Sequence, residues 1–238
     1  MIALHAGDAL AEVVPERGAI CTRLRFDNDE LLFLDKSTLE DSSKSVRGGI
    51  PVLFPIAGKP DPGSPYKQHG FARNLPWEVV RTGESSLECR LQHETWDVLI
   101  AFTLTEDAFK LETTVAGEGA FQLGFHPYFA VTDKKLAFIE TSATRVFDNR
   151  TGETRAFVKP DFTEGEQDLH LLDHRESGTV LHRPPQKSIE LSWSAEFRRL
   201  VLWTLPERPF ICVEPWTDRN ALTPARTLAF QIARGSRG

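Results

Sequence analysis

Alternation of apolar and polar residues, repeated along most of the 238-residue chain, is the feature that most limits what it can fold into. Leu87, Cys89 and Leu91 alternate with polar neighbours, as do Phe109, Leu111, Thr113 and Val115. Ile189, Leu191 and Trp193 repeat the pattern, and Leu228, Phe230 and Ile232 close it. A side chain that turns inward at every second residue marks a strand with one buried face. Turn-forming residues separate these runs, as at Asp27-Asn28-Asp29 and at Asn149-Arg150-Thr151-Gly152. No long amphipathic helix stands out. The expected architecture is therefore all-β: a large antiparallel sandwich forming one domain over residues 1–238. Within it, "GKPDPGSP" (58–65) reads as a surface excursion, because strand-like sequence continues on both sides. The polar stretch "DFTEGEQDLHLLDHRESG" (161–178) reads as a long loop or a short helix.

Charge and cysteine usage remove several classes of function. A net charge of −6 offers no electrostatic footprint for nucleic acid or for a membrane surface. No apolar run is long enough to span a bilayer, and "MIALHAGDAL" does not read as a secretion signal. Cys21, Cys89 and Cys212 are odd in number and far apart, with no C-x-x-C. That spacing argues against a disulfide framework or a zinc motif and fits a reducing cytoplasm.

Several local signals have ordinary explanations. Asn149-Arg150-Thr151 matches a glycosylation sequon but reads as a hairpin turn. His170 and His174 would share a face if helical, yet no H-E-x-x-H accompanies them and no metal role is assigned. Serine-hydrolase, Walker and dinucleotide fingerprints are missing from the sequence. Trp96, Trp193 and Trp203 are assigned to the core.

Four segments stand apart. "VRGGIPVLFPIAG" (46–58) sets Arg47 beside two glycines, and "QHGFARNLPWEV" (68–79) gathers Gln68, His69 and Arg73 around a glycine. In "LGFHPYFAV" (123–131) His126 immediately precedes Pro127, and in "FICVEPWTD" (210–218) Glu214 immediately precedes Pro215. A residue before proline is held extended, so both ionisable groups are expected at or near strand ends. Glu214 follows Ile211, Cys212 and Val213, and burial beside them would raise its pKa into the range useful for a base. The residues alone leave two readings open: rim positions at strand termini, or a proton-transfer pair over a cleft.

In order, "RGGIPVLFP", "QHGFARNLPW", "HPYF" and "CVEPW" resemble the motifs of the galactose mutarotase-like superfamily, the aldose 1-epimerases. They resemble in particular the branch that includes hexose-6-phosphate mutarotases. The N-terminal "VVPERGAICTRLRF" extends the likeness over nearly the whole chain. The resemblance implies a β-supersandwich that binds a small sugar or sugar phosphate on its concave face, without cofactor or metal. It implies interconversion of α and β anomers, with Glu214 as base, His126 as acid and His69 bonded to the sugar. A mid-chain aspartate should bind sugar hydroxyls: Asp168, with Asp173 as the other possibility. Arg47 and Arg73 would hold a phosphate, helped by Gln68. A monomer or weak homodimer is expected. Two other classes stay open, a non-catalytic carbohydrate-binding sandwich using Trp77 and Trp216, and a glycosidase with Glu214 as one of two carboxylates.

Overall fold

The computed structural model describes residues 1–218 and 227–235, and almost every element in it is a strand. Ile2–Ala6, Ala9–Val14, Ile20–Phe26 and Asp29–Glu30 form a four-stranded sheet in chain order. A second sheet starts at the hairpin Arg145–Asp148/Glu153–Ala156 and continues through Gln167–Leu171, Arg199–Thr204 and Phe210–Trp216. Beyond Phe210–Trp216 lie Gly124–Phe125 and Val52–Leu53, and Tyr128–Ala130 also pairs with Phe210–Trp216. The third sheet has eight strands, with Thr227–Arg234 between Ile189–Trp193 and Ala108–Ala116 near its middle. Pairing within the sheets is antiparallel, as alternation with short turns requires.

The second and third sheets close on one apolar core. Phe125 of the second sheet stacks on Phe230 of the third with ring centroids 5.2 Å apart. Phe54 meets Trp96 edge-on at 5.2 Å. The alternating residues read from the sequence, Leu87, Leu111, Leu191 and Phe230 among them, are all buried here. Each such side chain contributes about 1.5–3 kcal/mol by leaving water.

Alternation then dictates what the other face of the second sheet presents. Ile211 and Val213 point into the core, so Cys212, Glu214 and Trp216 point away from it. Leu200 and Leu202 do the same for Val201 and Trp203. Leu169 and Leu171 leave Asp168 and His170 on the outer face. This face, walled by the loops around residues 47–75, floors a cleft of about 900 Å³.

One expectation needs correction and one holds. The 161–178 stretch contains the strand Gln167–Leu171, not a helix, because Leu169 and Leu171 pair into the sheet opposite Leu202 and Leu200. His170 and His174 therefore share no helical face. Glu214 stands near a strand end as expected, two residues before the last of Phe210–Trp216, with Pro215 also inside that strand.

Candidate active site

A proline inside a central strand removes a ladder hydrogen bond. Here the loss falls where the partner strand is also interrupted. Gly124 pairs with Trp216 and Tyr128 with Cys212, so the register brings His126 opposite Glu214. His126 and Tyr128 turn their backbone N–H groups the other way, to the carbonyls of Pro51 and Gly49 at 3.1 and 2.9 Å. His126 and Glu214 are thus a non-hydrogen-bonded pair, the type whose side chains approach most closely. Pro127 and Pro215 occupy the flanking positions where N–H donors would otherwise cross between the strands.

The side chains meet accordingly. His126 Nε2 lies 3.3 Å from Glu214 Oε1, and both groups border the cleft. The indole N–H of Trp216 donates to Glu214 Oε2 at 3.1 Å, fixing the carboxyl from its other side. Gly124 makes room for that indole, since a Cβ there would stand 2.7 Å from Trp216 Cδ1. Tyr128 stacks on the His126 ring at 4.7 Å and 13°. Exposure of only 6% for His126 and 1% for Glu214 controls their charge. Burial pushes His126 well below the usual imidazole range, helped by the nearby His69 and Arg73. Burial likewise pushes Glu214 well above the carboxylate range, with the charge of Asp168 adding to it. Both shifts disfavour the charged form of each group, the imidazolium and the carboxylate.

His69 comes from a strained turn. Its φ is +68°, a region that costs a residue with a Cβ about 1–3 kcal/mol. Gly70 follows with φ +69° and packs against the Phe54 carbonyl, where any Cβ would overlap the oxygen. The ring is anchored through Nδ1, which donates to the Ala57 carbonyl. That leaves Nε2 as an acceptor, 3.3 Å from the Gln68 amide. Burial, then the charge of Arg73, pushes the His69 pKa down to about 4, so the ring is neutral at pH 7. Its centroid is 5.7 Å from that of His126.

Of the two aspartates, Asp168 borders the cleft. It accepts from Asn149 Nδ2 at 2.6 Å and lies 3.3 Å from His170 Nε2. Burial raises its pKa, but those two contacts outweigh it and hold the carboxyl below its ordinary value. Asp173 instead accepts from the backbone of Thr144 and Arg145 at 3.0 and 3.1 Å, away from the cleft.

The arginines separate. Arg47 borders the cleft with its guanidinium 5.4 Å over the Trp203 ring, and Gln68 lies on the same wall. Arg73 is half-buried, 3.5 Å from the Gln68 carbonyl, and is not among the residues that line the cleft. Two aromatic assignments also change. Trp203 faces the cleft rather than the core, because Leu200 and Leu202 take the inward positions of its strand. Trp77, offered as a sugar platform, is buried in the main core with its N–H donating to Ala72; Trp216 does border the cleft. Asn149, Arg150 and His170 are cleft residues that sequence reasoning passed over.

An imidazole and a carboxyl in contact, set in a cleft with an ionised carboxylate and a neutral histidine acceptor, can remove one proton and deliver another to adjacent oxygens. The Escherichia coli (strain K12) protein named "Putative glucose-6-phosphate 1-epimerase" is 35% identical over 132 residues, 50% of this chain and 45% of that protein. Its Salmonella typhimurium (strain LT2) namesake is 30% identical over 117 residues, 44% of this chain and 40% of that protein. The matches thus span less than half the length of these curated relatives. The crystal structure of the Slr1438 protein from Synechocystis sp. PCC 6803 matches with a TM-score of 0.90 at 30% identity, covering 99% of this chain and 96% of that one. A galactose mutarotase-like protein from Lactobacillus casei ATCC 334 shares the fold, with a TM-score of 0.76 at 20% identity over 99% of this chain and all of its own. The model of the family described as aldose 1-epimerase matches residues 1–225. With nearly the whole chain so matched, the protein belongs to the aldose 1-epimerase family.

Proposed function

We propose that the protein is a cofactor-independent mutarotase that interconverts the α and β anomers of a hexose or hexose 6-phosphate. The observation that carries this reading is the 3.3 Å approach of His126 Nε2 to Glu214 Oε1 at the cleft floor. The anomeric hydroxyl and the ring oxygen of a pyranose are separated by a single carbon, so neighbouring acid and base groups suit them.

Glu214 takes the proton of the C1 hydroxyl while His126 gives one to the ring oxygen. The C1–O5 bond breaks and C1=O1 forms, with no covalent bond to the protein. After rotation about C1–C2, O5 adds to the other face of the aldehyde; His126 recovers its proton from O5 and Glu214 returns one to O1. His69 Nε2 accepts a bond from a sugar hydroxyl, and Asp168 accepts from others.

Support for a 6-phosphate comes from the cationic groups along the cleft. Arg150 and Arg199 are each engaged by a carboxylate, Glu166 and Asp218, whereas Arg47 lies over an aromatic ring. A guanidinium so placed offers forked donors to a phosphate. The curated relatives are named for glucose 6-phosphate, which points the same way. The test is catalysed anomer exchange of glucose 6-phosphate, glucose and galactose, followed by NMR with the spontaneous rate subtracted. Acceleration of at least one sugar is expected. Sugar binding with no acceleration would make the chain a carbohydrate-binding protein instead.

A further inference from the structure

Cys212 is a buried thiol beside the reacting groups for which the proposed chemistry has no use. It stands two residues before Glu214 on the same face of Phe210–Trp216, opposite Tyr128, and is completely buried. A ring nitrogen of His126, the Cys212 sulfur and a carboxylate oxygen of Glu214 all lie within 4.8 Å of one another. Imidazole, thiolate and carboxylate are the donor types of zinc, and three protein ligands with an open fourth position is its usual arrangement at a reactive site. Metal–donor bonds of about 2.0–2.3 Å set tetrahedral donors roughly 3.5 Å apart. His126 Nε2 and Glu214 Oε1 already stand 3.3 Å apart, so only the Cys212 sulfur has to close, by little more than about an ångström. Ligand spacing along the chain gives no hint of this cluster, because the sheet register and not a sequence motif assembles it.

We infer that His126, Cys212 and Glu214 form an inhibitory site for a thiophilic divalent cation of the zinc class, entered from the cleft. Three bonds form, from the metal to nitrogen, sulfur and oxygen. The thiol proton and the proton shared by His126 and Glu214 leave to solvent, with no redox change. A metal so held occupies both proton-transfer groups and blocks anomer exchange. The inhibitory part rests on the acid–base reading above; the binding part does not.

The probe is Cd²⁺ alone, added to the intact protein and followed by its ultraviolet thiolate-to-cadmium charge-transfer band. The band should appear in the parent protein and in Cys21→Ala and Cys89→Ala, and be lost in Cys212→Ala. His126→Ala should weaken binding by at least about tenfold, the scale set by loss of groups that merely support a metal ligand. This second variant keeps the test intact if Cys212→Ala does not fold. No band in the parent protein, or a band that survives Cys212→Ala, overturns the site. In the exchange assay Zn²⁺ should inhibit the parent at least about tenfold more strongly than Cys212→Ala, with recovery on chelation. Equal inhibition of the two overturns the inhibitory role. A parent protein that binds Cd²⁺ through Cys212 but never accelerates exchange removes the mutarotase reading and leaves the metal site standing.

Discussion

His126 and Glu214 face each other across a stretch of the second sheet where both strands carry a proline. The pairings Gly124–Trp216 and Tyr128–Cys212 keep the same register on either side of them. The prolines cost the sheet ladder bonds, and the gap lies beside the two titratable groups. Because the pair sits in a non-hydrogen-bonded position, backbone geometry alone sets the imidazole against the carboxyl. Trp216, Tyr128 and burial then fix their orientation and charge.

That charge state sets the pH profile. Free groups would titrate near 6.5 for the imidazole and 4.5 for the carboxyl, confining the one-proton state to the interval between them. Burial moves the imidazole down and the carboxyl up. A second proton therefore binds only well below 6.5, and the shared proton leaves only well above 4.5. The acid limb of kcat/KM for anomer exchange should therefore lie well below pH 6.5. An acid limb centred at 6.5 would show an ordinary, solvated histidine.

Asn149 holds Asp168 through a 2.6 Å bond, so it orients the carboxylate without being one of the proton-transfer groups. Replacing Asn149 by Ala should raise KM by about tenfold, the loss expected for one hydrogen bond to a charged group, and leave kcat nearly unchanged. Steady-state kinetics across substrate concentrations separates the two parameters. A fall in kcat with unchanged KM would mean that Asp168 acts on the reacting centre itself.

Arg47→Ala distinguishes a phosphate contact from a ring contact. With the guanidinium over Trp203 at the cleft wall, its loss should lower kcat/KM for glucose 6-phosphate by about 10- to 100-fold, the range for charge-assisted bonds. Glucose should be affected far less. Equal losses on both sugars would remove the phosphate assignment.

How much of this was legible beforehand depended on how each residue meets its neighbours. Strands such as Ala108–Ala116 announce themselves because one face is buried and the other wet. The Asn149–Gly152 turn is equally readable, and the hairpin forms there. His126 and Glu214 could be singled out by their prolines, but not their register, which only the pairing of distant strands determines. Gln167–Leu171 went unread as a strand because it shows only two inward apolar residues, in a polar stretch. Trp203 reads as core because it follows an unbroken apolar run, Leu200-Val201-Leu202, in which the sequence marks neither face as wet. Arg73 belongs to the same motif as His69, yet of the two only His69 lines the cleft.

The turn through His69 and Gly70 is itself testable. Gly70→Ala places a Cβ against the Phe54 carbonyl at φ +69°. It should destabilise the protein by about 1–3 kcal/mol from the backbone term alone, measured by chemical denaturation. Activity should fall with stability, since His69 is the adjacent residue. A stability within 0.5 kcal/mol of the parent, a change of the size typical for neutral surface sites, would mean that the turn relaxes freely.

The central claim is that Glu214 and His126 transfer protons as a pair. NMR exchange spectroscopy on equilibrated sugar anomers measures it directly, with the spontaneous rate subtracted. Glu214→Gln and His126→Ala should each lower the catalysed rate by about 10²- to 10⁴-fold, with an unchanged β-sheet circular dichroism spectrum. A folded variant of either kind that keeps a rate within about threefold of the parent, far short of what loss of an acid–base group costs, would contradict the account.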